Sequence, residues 1–427
     1  MDNTFEITEA APGVRICSYK TSRFKTGRLS FSIAIPLEKD VSAYAILPYI
    51  LNRSCAEYPT YTELNKRLAE LYGSTLTPSV SKSGESLVLR FAMTMIDNRF
   101  ALDQEEDIFL SCAKLLFGMI FNPNAADGKF NETEVTREKR LMLERLESEL
   151  NDKRIYALRR CEQIMCENEA FAANAYGTKE GIEALTPESI YNAYSKVLKT
   201  GRIGVNVVGS TSADKIIKLL NEYLSKMDRA GVNELTCQVI KSASTVRRVD
   251  EEMDVNQGKL VMGFRAGTED TDKDYPKLKI MTDIFGGGTY SRLFMNVREK
   301  MSLCYYCSAR LYRQKGIIIV QSGIENENAE TAILEIQNQL NSMAEGDVDK
   351  EILKSSLLSM KDMLNSVCDT PEDIDAWAVS QITDDTFETP LELNARLESV
   401  TVEDVIEAAK AVTLDTVFML KAAGEDT

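Results

Sequence analysis

The sequence predicts an α+β protein built from two homologous halves, each a mostly antiparallel sheet with helices packed on one face. Two observations lead there. Stretches with a two-residue apolar period and stretches with a helical period follow one another in the same order twice along the chain. In addition, Thr186-Pro187-Glu188-Ser189 through Val208-Gly209 matches Thr401-Val402-Glu403-Asp404 through Ala423-Gly424 without a gap, at a constant offset of 215 residues. The threonine, the glutamate, Ala193/Ala408, Val197/Val412 and the closing glycine coincide. In a chain of 427 residues that offset is close to half the length, as a duplicated unit requires.

The first half opens with strands over Gly13–Tyr19 and Arg28–Pro36, where Ser30, Ser32 and Ala34 alternate with Leu29, Phe31, Ile33 and Ile35. Ser42 caps a helix reaching Asn52, and Thr60 or Thr62 caps another ending near Gly73. Strands over Thr75–Ser81 and Ser86–Thr94 flank Lys82-Ser83-Gly84. Helices are predicted over Glu105–Phe121 and, as one long charged segment, from Asn131 to Glu169. Thr186 caps the next helix, with Pro187 in its first turn. A strand over Ile203–Val208 and a helix from Ser212 to Met227 follow. Residues 228–250 read as a linker. The second half then gives a strand over Lys259–Arg265, a helix over Tyr275–Phe285, and strands over Leu303–Leu311 and Gly316–Ser322. Helices over Glu330–Met343, Asp349–Cys368 and Thr370–Thr383 come after them. The predicted halves are residues 1–230 and 245–427.

The formal net charge of −16 disfavours binding to nucleic acid or to anionic membrane, and permits attraction of basic peptides. No run is long and apolar enough to span a bilayer. The first residues lack the basic and apolar regions of a signal peptide, so a cytoplasmic protein is expected. Nine cysteines, scattered along the chain, fit free thiols. Cys304 and Cys307 form a C-x-x-C, but on a regular strand they point to opposite faces, and no second pair accompanies them. Neither a redox nor a metal role is therefore expected there. The sequence contains no histidine, which removes the usual general base and the commonest zinc ligand. Cys304 is the best nucleophile for an independent hydrolase, yet it has no residue to activate it.

Phe285 to Cys307 is the most distinctive stretch. Gly286, Gly287 and Gly288 can adopt positive φ and allow close approach to the backbone. Thr289 or Ser291 then caps a helix with the apolar stripe Leu293, Phe294, Val297 and Met301, against which Arg298 lies. The whole string G-G-G-x-x-S-R-L-F-x-x-V-R-E-K-x-x-L-x-Y resembles the second-half signature of the pitrilysin/insulinase family of metallopeptidases. The resemblance covers nearly the whole chain and implies the same two-half, insulinase-like fold. It also implies that Arg298 and Tyr305 bind a substrate peptide, with Gly286–Gly288 as an adaptable loop beside them.

In active members of that family the first half carries H-x-x-E-H on a helix, with a distal glutamate completing the zinc site. The resemblance places that triplet on Ala45, Pro48 and Tyr49, and the distal ligand on Arg145, or on Glu144 if the alignment slips by one. A methyl, a pyrrolidine and a phenol replace two imidazoles and a carboxylate, and Pro48 bends the helix. No metal and no other cofactor are expected. The chain thus resembles a zinc-less subunit, most like the bacterial branch associated with elongation factor P modification. Such a subunit would lend Arg298 and Tyr305 to a zinc-containing insulinase-like catalytic partner acting on a peptide or protein; in isolation it could form a homodimer. The alternative is a scaffold or peptide-binding protein with no role in catalysis, where Arg298 and Tyr305 form a fold-internal pair.

Overall fold

A computed structural model describes residues 4–423 apart from 104, 230, 269 and 270. The chain forms two compact units, and neither is one continuous stretch. The first comprises residues 1–146, 173–236 and 366–389; the second comprises 147–172, 237–365 and 390–427.

The first unit contains strands β1 (Phe5–Ala11), β2 (Val14–Lys20), β3 (Thr26–Pro36), β4 (Thr75–Ser83), β5 (Ser86–Ile96), the short hairpin β6 (Ala125–Ala126) and β7 (Lys129–Phe130), and β8 (Arg202–Gly209). Its sheet runs β1-β2-β8-β3-β5-β4, antiparallel except for the β2–β8 pair. Alternation along β3 divides the sheet's faces. Phe31 meets Phe117 and Phe121 of the helix Ile108–Phe121, within the main helical layer. The opposite face carries Ser30 and Ala34 and is covered by the helix Pro371–Val379 and the turn after it. Ala34 packs with Val88 and Ile382, and the Ser30 hydroxyl donates to Asp375 Oδ1 at 2.5 Å.

The second unit contains β9 (Arg247–Met253), β10 (Gly258–Arg265), β11 (Cys304–Tyr312), β12 (Ile317–Ile324) and β13 (Thr413–Ala422), in the order β11-β12-β10-β13-β9. Only β13–β9 is parallel. Here the helix Lys153–Met165 lies on one sheet face, where Ala157, Cys161 and Met165 pack with Val261, Ile319 and Phe418. Gly263 permits that approach, because a Cβ there would stand 2.6 Å from Met165 Sδ.

The repeat is visible in the topology. β2-β8-β3-β5-β4 and β9-β13-β10-β12-β11 have the same order and the same single parallel pair. The matched helices start alike, with reciprocal capping boxes at Thr186/Ser189 and Thr401/Asp404. Gly424, which closes the second copy in the sequence match, lies outside the described residues.

Several elements differ from expectation. The helix predicted from Ser42 to Asn52 is two short helices, Ser42–Ala45 and Leu47–Leu51, meeting at Ile46; Pro48 sits in the first turn of the second. The long helix divides at Asp152, whose carboxylate accepts from the Arg154 and Ile155 amides and starts a new helix. The end of the expected linker is strand β9. Its charged residues hide the alternation in which Arg247, Val249, Glu251 and Met253 are half-buried and Arg248, Asp250 and Glu252 exposed. Strand β1 and the helix Pro390–Glu398 were not foreseen.

Candidate functional site

The glycine run ends the helix Thr271–Gly286. None of the three glycines has positive φ, so their use is close approach rather than a left-handed turn. A Cβ on Gly286 would stand 2.6 Å from the Ala309 amide nitrogen of β11, and one on Gly287 would stand 2.0 Å from Asp283 Oδ1. Asp283 fixes this turn. Its Oδ2 accepts from Tyr290 and from Ser356, both at 2.6 Å, and its carbonyl accepts from the Gly287 amide. Burial, with the hydrogen bond to Asp283 next in weight, pushes the Tyr290 phenol up to about 12. Tyr290 and Ser356 were not singled out from sequence; the only signal is a tyrosine two residues after the last glycine.

Ser291 starts the next helix, its side chain accepting from the Phe294 amide. Leu293–Lys300 is wound as a π-helix rather than the expected α-helix, and it closes with the Met301 amide on the Asn296 carbonyl. Leu293 and Val297 are buried as expected, whereas the wider winding leaves Met301 exposed. Arg292 binds Asp347 and Ser342, and Asn296 donates to Gln339, so the neighbouring helix Ala329–Ala344 and the turn after it hold this segment.

Arg298 is therefore not directed into the core. Its guanidinium stacks over Phe294 at 4.5 Å and lies 3.6 Å from Glu299, with the side chain 40% exposed. Tyr305 lies on β11, an edge strand, and is 67% exposed. Cys304 faces Ile324 and Tyr306 faces Gly323, so Tyr305 is the unpaired residue of a β-bulge. Among the described residues, Arg298 and Tyr305 form no hydrogen bond with each other. Tyr306 is turned away under the Arg154 guanidinium, 4.8 Å from its ring centroid.

The positions matched to a zinc site lie in the first unit. Ala45 is fully buried. Tyr49 is buried, and the Arg145 guanidinium lies 3.8 Å above its ring. Glu144 points away, exposed and paired with Arg140 at 2.7 Å. Burial, more than the nearby Tyr176, pushes the Tyr49 phenol up to about 12. Beside them Glu138 is fully buried and accepts from Arg53 Nε at 2.6 Å. The structure brings Tyr49 and Arg145 together as a cation–π pair. A methyl, a proline ring, a neutral phenol and a guanidinium do not fit zinc, which takes thiolate, imidazole or carboxylate. Among the described residues no group of three or more acidic, cysteine or histidine side chains is placed to hold a metal ion. Among them, too, no helix is long and apolar enough to cross a membrane.

Comparison with known proteins agrees with this reading. The family model described as "Peptidase M16 inactive domain" matches residues 184–358. The chain is 31% identical over 404 residues to the "Probable inactive metalloprotease YmfF" of Bacillus subtilis, covering 94% of each protein. In fold it is similar to a conserved protein from Enterococcus faecalis, with a TM-score of 0.88 at 24% identity over 99% of this chain and 100% of that one. It is also similar to a peptidase M16 inactive domain from Pseudomonas fluorescens, with a TM-score of 0.81 at 14% identity over 99% of each. The chain belongs to the M16 peptidases, the pitrilysin/insulinase family, and is a non-catalytic homologue within it.

Proposed function

We propose that this protein is the zinc-less subunit of a two-chain M16 peptidase and presents Arg298 and Tyr305 to a peptide held by a zinc-carrying partner. The observation that carries the reading is the state of these two side chains. Tyr305 is exposed and Arg298 half-buried on a braced scaffold, with Arg298 held, among the described residues, only by Phe294 and Glu299 of its own helix. A bulge on an edge strand is a common way to aim a side chain at a ligand. Arg298 offers a planar fork of donors suited to a peptide carbonyl or carboxylate. Tyr305 offers one hydroxyl that can donate to an oxygen gaining negative charge as a peptide bond is attacked. The metal chemistry belongs to the partner; this chain binds and orients.

The test uses Arg298→Ala and Tyr305→Phe in the reconstituted pair, read against melting of the isolated chain. Tyr305→Phe is expected to leave melting unchanged and to lower kcat by about 10²-fold or more. Arg298→Ala is expected to raise KM as well, because the ground-state peptide also uses it. The scaffold reading predicts that activity falls only as folded protein is lost. Normal melting with normal cleavage would remove both residues from the site.

A further inference from the structure

β11 carries two thiols that regular strand alternation would send to opposite faces of the sheet. The bulge cancels that separation. With Tyr305 as the extra residue between Cys304, opposite Ile324, and Tyr306, opposite Gly323, positions 304 and 307 come to the same side. On that side they sit two ladder steps apart, opposite Ile324 and Ser322. Ser322, which faces Cys307 across the ladder, donates its hydroxyl to the Tyr306 carbonyl at 2.9 Å. Cys307 is buried and Cys304 is partly exposed. A sequence reading that counts residues along an unbroken strand misses this pair, because the bulge shifts the count by one.

We propose that Cys304 and Cys307 are a reversible dithiol–disulfide site that reacts with low-molecular-weight disulfides such as glutathione disulfide. The Cys304 thiolate attacks one sulfur of the oxidant, forming a mixed disulfide and releasing one small-molecule thiolate. Cys307 gives its proton to solvent and attacks Cys304 Sγ. The Cys304–Cys307 bond forms and the second small-molecule thiolate leaves. Two electrons pass from the protein's thiols to the oxidant, and a reducing dithiol reverses the sequence.

The environments divide the roles in this order. The neighbouring Cys307 is the main influence lowering the Cys304 thiol to about 7; burial opposes it, and the charge of Arg298 assists. Cys307, beside Cys304 and buried, is pushed up. An accessible thiolate beside a buried resolving thiol is the arrangement that exchange requires. Ring closure would span the bulge that carries Tyr305, but the chemistry needs no partner subunit.

The test uses the full-length reduced protein, glutathione disulfide as oxidant and iodoacetamide as trap. Residues 301–310 form a single tryptic peptide containing both thiols. The expected product is that peptide lighter by two hydrogen atoms, resistant to alkylation and restored by dithiothreitol. Cys237 and Cys368, also partly exposed, are expected to react about tenfold more slowly than Cys304 at pH 7. Cys307→Ser is expected to accumulate a stable glutathione adduct on Cys304, and Cys304→Ser to leave Cys307 unmodified. The unsubstituted protein carries the decision, so a variant that fails to fold does not remove it. Full alkylation of both cysteines, an adduct on Cys304 that never closes, or equal reactivity at Cys237 or Cys368 overturns the proposal.

Discussion

Asp375 and Glu169 are carboxylates sealed against the two sheets. Asp375 is fully buried; Arg28 Nε donates to it at 2.8 Å and Asn206 at 2.9 Å, with Ser30 and Arg90 also bound. Glu169 is bound by Arg265 at 2.7 Å and Lys315 at 2.5 Å, and Arg265 also reaches Asp415 at 2.7 Å. Burial alone would raise the Glu169 carboxyl, but hydrogen bonds from Arg265 and Lys315 outweigh it and hold the group below its ordinary 4.5. A carboxylate depressed in the folded state contributes stability that is fully present above its unfolded value and is lost as pH falls through its folded value. Glu169→Gln is therefore expected to destabilise the protein by about 3 kcal/mol at pH 7, since it leaves two buried cations short of a charged acceptor. That difference should narrow as pH drops below about 4.5. Urea denaturation of both proteins at pH 7 and at pH 4 measures it, and equal midpoints at pH 7 would show the network to be dispensable. None of these roles was legible in the sequence, because each joins residues 96 to 347 positions apart. Arg298 and Tyr305 could be singled out from the sequence because both lie within one continuous motif.

Among the elements, those with local start and stop chemistry were readable. The caps at Thr60, Thr186, Ser212 and Thr370 all accept from the first turn of the helix they precede. Winding and bulging were not readable. A π-helix and a β-bulge each add a residue to a periodic pattern, and a pattern count assumes that none is added. Both irregularities fall between the glycine run and β12, where Gly286 meets Ala309 of β11. Gly286→Ala places a methyl against the backbone of an edge strand that must shift to admit it. The expected cost is about 1–3 kcal/mol, seen as lower thermal stability. An unchanged melting temperature would show that β11 yields freely. Tyr305→Ala, on the exposed bulge, is the contrasting variant and is expected to change stability by less than about 0.5 kcal/mol.

For the whole molecule, the duplication was legible from the 215-residue match, and the strand orders repeat it. The exchange of segments was not, since nothing local marks residues 147–172 or 366–389 as belonging with the more distant sheet. Cleaving the chain between Thr236 and Cys237 tests what the exchange does. We propose that fragments 1–236 and 237–427 each fold poorly alone, because the first lacks the helix that buries Ser30 and Ala34 and the second lacks the helix that buries Val261 and Phe418. Mixed together from denaturant, they are expected to regain a cooperative transition that neither shows singly, measured by circular dichroism. Two fragments that melt cooperatively apart would show that each sheet is satisfied without its borrowed helix.

The same exchange sets a schedule for synthesis. A protein leaving the ribosome ordinarily completes its amino-terminal portion first and shelters that core while the remainder is made. Here the sheet that begins at Phe5 keeps one face uncovered until residue 389 has emerged, roughly 8–30 s after residue 236 at usual elongation speeds. During that interval Arg28, Ser30, Arg90 and Asn206 on that face wait for Asp375, the one carboxylate they share.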